Sequence, residues 1–240
     1  MNTLLARIAA ALPFKGRIDP RHLSRSDGLT ELDAEALANL PPPQVIRALD
    51  AWEDGILEPG QPPVGDANPQ PDRIDDFARG EDGGGWTWRE PYKKNGSLEW
   101  CGFFAAWCLA GRVSADDRAR VMPSTYRLWK AANDGHPRLS RLQPRDAEPG
   151  DVLVVASTGG KRWGDHITVV ERVDLAAGLI YTVEGNARGW VPGGAQGSAA
   201  DCREGVIRRT RPIGAPRHPR CPVSGLRQTA RALAVYRWAR

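Results

Sequence analysis

The chain is expected to fold as an α+β protein, with helices first and an antiparallel sheet after them. Three observations predict this. Up to about residue 134 the apolar residues recur mainly at helical spacing. Beyond Pro149-Gly150 come short β-branched segments separated by turn residues. Between these regions lies LEWCGFFAAWCLAG (98–111), apolar on most faces and closed by Gly111, which must be buried at the centre of a domain.

Residues 1–57 read as a helical N-terminal segment. Leu4, Leu5, Ile8, Ala9 and Leu12 share one helical face, and Leu32, Ala36 and Leu40 share another in LTELDAEALANL (29–40). Pro41 to Pro43 interrupt, and QVIRALDAWEDGIL (44–57) resumes helical spacing. EPGQPPVGDANPQPD (58–72) is rich in Pro and Gly, so it reads as a linker or an extended wrap. RIDDFARG (73–80) suits a short helix, and a glycine-rich loop with Trp86, Trp88 and Tyr92 leads into the apolar helix. Residues 115–134 are expected to be helical in part, broken at Met122-Pro123. The strands are expected at 151–156, 166–173, 179–186 and 205–210. Residues 214–240 form a basic tail whose last part, GLRQTARALAVYRWAR, has helical composition.

A length of 240 residues allows a sizeable core without disulfide staples. Four Cys (101, 108, 202, 221) do not make a disulfide scaffold, although a Cys202–Cys221 bridge stays open. No metal site is expected, because too few ligands lie at usable spacing, and no cofactor is implied. The net charge is +4, yet from Arg203 onward ten Arg face a single acid, Glu204. Such a tail suits an anionic partner or a solvated basic edge. Nine Trp against four Phe is unusual, and Trp in surplus often lines grooves for polymers or peptides. MNTLLARIAAALPFKGR lacks a basic leader and is interrupted by Arg7, so it does not read as a signal peptide. No run reaches the length of a membrane span. Synthesis in the cytoplasm is therefore expected, with other machinery carrying the protein to any site outside.

Cys101 stands in the first turn of the apolar helix. Helix N-terminal N–H groups and the helix dipole stabilise a thiolate there and make it a nucleophile. By itself it also fits a buried apolar filler, and Cys108, two turns on, is read as filler. His166 opens a strand after KRWGD, a place suited to a base. His22, His136 and His218 lack such a setting. Glu184 and Asn186, two apart in YTVEGN, should share one strand face and offer a carboxylate and an amide to an imidazole. Gly185 between them permits a bulge or a close backbone approach.

The order EWCGFFAAWCLA, PGDVLVV, DHITVVERV, YTVEGNA and GVIRRT resembles the CHAP amidases, the cysteine, histidine-dependent amidohydrolases/peptidases. The resemblance covers residues 73–213. It implies a papain-like core, with a nucleophile helix packed on an antiparallel sheet, and cleavage of amide bonds in peptidoglycan. Cys101 matches the nucleophile, His166 the base, Glu184 the acid that orients it, and Asn186 the supporting amide. One departure stands out: the family usually has Gly directly before the His, whereas this chain reads Gly164-Asp165-His166. Trp86, Trp88, Trp163 and Trp190 are expected as groove walls, and Trp100 and Trp107 as core. The Cys101 N–H is the expected oxyanion donor, with Asn95 a candidate second.

The implied partner is bacterial peptidoglycan, reached as a phage endolysin, in a virion or through a secretion system. Phage structural proteins are candidate partners for the N-terminal segment or the tail. An inactive relative serving as a structural or binding module is the competing class. Nucleic-acid binding through residues 203–240 lacks any recognition motif.

Overall fold

The sheet is built from segments that alternate between two apolar faces. In a computed structural model of the chain, residues 41–79, 100–156, 162–190, 192, 202–213 and 231–239 are described. The described residues from Pro43 onward make one compact unit. The helices expected within 1–40 lie outside the described residues.

Chain order is α1 (Pro43–Glu53), β1 (Ile56–Leu57), β2 (Asn68–Pro69), α2 (Pro71–Arg79), α3 (Cys101–Cys108), α4 (Ala115–Arg120), α5 (Thr125–Asn133), β3 (Leu139–Leu142), β4 (Val152–Ala156), β5 (His166–Asp174), β6 (Leu179–Trp190), β7 (Cys202–Pro212) and β8 (Arg231–Trp238). The described strands form one sheet in the order β2-β1-β7-β6-β5-β4-β8-β3. All neighbours are antiparallel except β1 and β2. The α+β class with an antiparallel-dominated sheet is as expected.

Strand β4 shows how the sheet is packed. Val152 and Val154 join the main core, while Leu153 and Val155 join a smaller cluster on the other face. Helix α3 lies on the main-core side against β5 and β6, flanked by α1, α2 and α4. Phe77 of α2 seals it, with ring centroids 5.8 Å from Trp100, 5.3 Å from Phe104 and 5.0 Å from Trp107. Aromatic contacts of this kind add to the area they bury. Trp100 is buried and Trp107 packs partly buried against the same core.

Two segments differ from expectation. The helix expected over 44–57 stops at Glu53, the chain turns through Gly55, and Ile56–Leu57 join the sheet. Residues 58–70 wrap along that edge, where the Glu58 N–H donates to the Glu204 carbonyl at 2.9 Å. The helical composition of the tail is overruled as well: Arg231–Trp238 is a strand, inserted between β4 and β3. Its Ala234, Tyr236 and Trp238 enter the main core, so long-range pairing outweighs local propensity.

The basic tail is partly consumed within the fold. Arg208 pairs with Glu171, and Arg237 pairs with Asp151 and Glu148. Arg203 donates to the Pro62 carbonyl at 2.8 Å. Cys101 and Cys108 are free, while the Cys202 side chain and Cys221 lie outside the described residues. No described helix is long and apolar enough to cross a membrane.

Candidate active site

Cys101 is the first residue of α3, which Trp100 caps without a side-chain hydrogen bond. The helix can start here because its second residue is Gly102. A Cβ at that position would lie 2.6 Å from the Met122 carbonyl oxygen and 2.8 Å from Pro123 backbone atoms. The Met122-Pro123 break expected between α4 and α5 therefore rests directly on the start of α3.

His166 is the first residue of β5, paired with Val155 at the end of β4. Its Nε2 lies 3.2 Å from Glu184 Oε2. A carboxylate only accepts, so Nε2 carries the proton and donates. Nδ1 is then the nitrogen left for the Cys101 side chain, which also hydrogen-bonds the imidazole. Burial works against a charged imidazole, but Cys101 and Glu184 outweigh it and push the His166 pKa up to about 9.

Glu184 is fully buried on β6. Oε1 accepts from Thr182 Oγ1 at 2.7 Å and from Arg211 Nε at 2.7 Å, and Oε2 accepts from Arg211 Nη2. Burial alone would raise this carboxyl. The Arg211 guanidinium and His166 together hold it well below the usual carboxylate range. Arg211 is itself buried, so the charges compensate each other away from water.

Asn186 departs from the expected geometry. The β6–β7 register shifts between Glu184 and Ala187, and Asn186 sits at φ 54°, in the left-handed region that Asn tolerates better than most residues. The bulge removes the same-face relation to Glu184. In the amide orientation that satisfies both its atoms, Asn186 donates to Glu58 Oε1 at 2.7 Å and accepts from the Trp100 N–H at 3.1 Å. Its amide thus holds the residue before Cys101, not the imidazole. Gly185 explains the bulge: a Cβ there would lie 2.5 Å from Trp100 Cζ3 and 2.6 Å from Phe104 Cβ. Only a residue without one lets β6 approach α3 this closely.

The structure thus brings Cys101, His166 and Glu184 together and sets Asn186 beside them. Trp163 lies three residues before His166 and packs against Tyr126 and Trp129. Trp190 ends β6 opposite Cys202, and its side chain is not described. Trp86, Trp88 and Asn95 lie outside the described residues.

Residues 92–186 match the family model of the CHAP domain. That stretch is similar to a CHAP domain and spans less than half of the chain. No curated protein and no solved structure matches the chain. The match supports a hydrolase of the amidase and peptidase kind, a family associated with peptidoglycan. The matched stretch contains Cys101, His166, Glu184 and Asn186 and ends on the last of them.

Residues outside the match complete the site, and sequence reasoning missed them. Arg211 comes from β7. Glu58 comes from the segment expected as a linker, and its Oε1 also accepts from Trp100 Nε1 at 2.9 Å. Burial, opposed by that bond and reinforced by Glu204, pushes the Glu58 carboxyl up. Arg208, Arg209 and Arg211 fall within four positions of one strand, so the local pattern does not single out Arg211.

Proposed function

We propose that this chain hydrolyses an amide bond of peptidoglycan, in the stem peptide, in the cross-bridge or at the muramoyl-L-alanine link. Cys101 is the nucleophile, His166 the acid and base, and Glu184 the group that orients the imidazole. What supports the reading is the chain of contacts Cys101–His166–Glu184–Arg211 at the first residue of a buried helix.

The reacting pair is the Cys101 thiolate beside the His166 imidazolium. The sulfur attacks the amide carbonyl carbon, and the Cys101 N–H donates to the developing oxyanion. His166 gives its proton to the leaving nitrogen as the C–N bond breaks, and an acyl thioester remains on Cys101. Water then attacks the thioester while His166 takes its proton. The carboxylic acid leaves, and the thiolate–imidazolium pair is restored. One water is consumed for each amide cleaved. Glu184 keeps Nε2 protonated and stabilises the positive ring.

Incubation of purified walls with the full chain tests the proposal. New amino groups should appear with time, and their absence would overturn it. The pH profile of the same assay carries a second expectation. Leaving-group protonation needs the imidazolium, which His166 loses as pH rises through about 9. The rate should therefore fall along an alkaline limb near that pH. Glu184→Gln removes a charge that favours the imidazolium, so its limb should move to lower pH. A limb that stays in place would show that Glu184 does not act on His166.

A further inference from the structure

Beside the turn that leads to His166 is a cluster of rings that the hydrolytic steps do not use. Tyr126 and Trp129, three residues apart on α5, stack with centroids 6.1 Å apart. Trp163 meets Tyr126 edge-on at 5.2 Å and Trp129 at 6.2 Å. The Arg162 guanidinium lies 4.7 Å over Trp129 and 5.8 Å over Trp163. Tyr126 is 44 % exposed, Arg162 is exposed, and neither Trp is buried. Aromatic surface gathered in water loses the stabilisation that burial would bring, so a contiguous patch of it calls for a ligand.

The cluster is fixed to both halves of the catalytic pair. Met122-Pro123, just ahead of α5, rests on Gly102 beside Cys101. Thr125 Oγ1, in the first turn of α5, donates to the Gly164 carbonyl at 3.1 Å, two residues before His166. These two links put the cluster next to the elements that carry Cys101 and His166.

We propose that Tyr126, Trp129, Trp163 and Arg162 form a subsite for the glycan strand of peptidoglycan. This rests on the reading of the wall as substrate. Where the bond cut lies in the stem peptide or at the muramoyl-L-alanine link, the sugar chain adjoins the peptide held at Cys101. A pyranose ring offers a flat face of weakly positive C–H groups, complementary to the negative face of an aromatic ring. A guanidinium stacked on indole keeps its in-plane N–H donors for hydroxyl and acetamido oxygens. Its charge is partly met by the ring faces, which suits a neutral sugar. An acidic stem peptide on the same rings is the competing occupant, and the test separates the two.

The probes are the β-1,4-linked trimer of N-acetylglucosamine, purified walls, and a synthetic stem peptide without sugar. The full-length Cys101→Ala chain, with and without Tyr126→Ala or Arg162→Ala, is titrated with the trimer and with walls. Each substitution should weaken both by roughly three- to tenfold, the size of one lost ring or cation contact. In the active chain the same substitutions should lower kcat/KM on walls by a similar factor, and, where the sugar-free peptide is cleaved, leave that cleavage unchanged. Both side chains are exposed, so the fold should tolerate their loss. Trp129→Phe, which keeps a ring, should lose less than Trp129→Ala. Unchanged trimer binding, or an equal loss on the sugar-free peptide, would overturn the subsite. Failure of the unsubstituted chain to cleave walls while trimer binding still depends on Tyr126 would instead sink the hydrolase reading alone.

Discussion

Cys101→Ala is expected to abolish release of amino groups from purified walls, a loss of roughly 10⁴-fold or more in turnover. Alanine suits the first turn of a helix, so α3 should keep its place and circular dichroism should be unchanged. His166→Ala should lose activity to a similar extent by a different route. It removes the imidazole beside Cys101 and leaves the leaving nitrogen without a proton. Because the two groups act as a unit, the double variant should be no worse than either single one. Turnover retained in either single variant would remove that residue from the chemistry.

Arg211→Met is expected to be the most destabilising substitution near the site. It leaves Glu184, fully buried, with only Thr182 and His166 as partners. Removing one member of a buried ion pair costs roughly 3–5 kcal/mol. In a unit of this size that lowers the thermal midpoint by roughly 6–20 °C. The chemistry should suffer too. With the guanidinium gone, burial drives the Glu184 carboxyl up, and a carboxyl that holds its proton no longer supports the imidazolium. Combining Arg211→Met with Glu184→Leu removes both buried charges and should regain much of the stability while activity stays low. Thermal unfolding read beside wall hydrolysis checks both parts. An Arg211→Met chain as stable as the unsubstituted one would mean that Glu184 is neutral in the folded protein.

How far the sequence reveals this arrangement differs residue by residue. Helix α3 was legible because an almost wholly apolar run ending at Gly111 has few other places to go. The position of Cys101 at its start followed directly. Strands β4, β5 and the first part of β6 were legible because β-branched residues cluster between turns. Asn186 was not, because a period of two holds only while a strand stays regular. Gly185, pressed against Trp100 and Phe104, breaks that regularity. Strand β8 was hidden for a different reason. RALAVYRW is made largely of residues that also favour helix, and only its pairing with β4 and β3 decides the matter. Arg211 and Glu58 reach the site through contacts 27 residues from Glu184 and 42 residues from Trp100. Local pattern carries no trace of such separations.

Mass spectrometry of the fragments released from purified walls tests the central claim most directly. Cleavage by the Cys101–His166 pair predicts fragments that together exceed their parent by one water, with one new amino group and one new carboxyl group. The bond cut then reads out as stem peptide, cross-bridge or muramoyl-L-alanine link, and the Cys101→Ala chain yields none of these fragments. New reducing sugar ends in place of new amino groups, or the same fragments from the Cys101→Ala chain, would contradict the account.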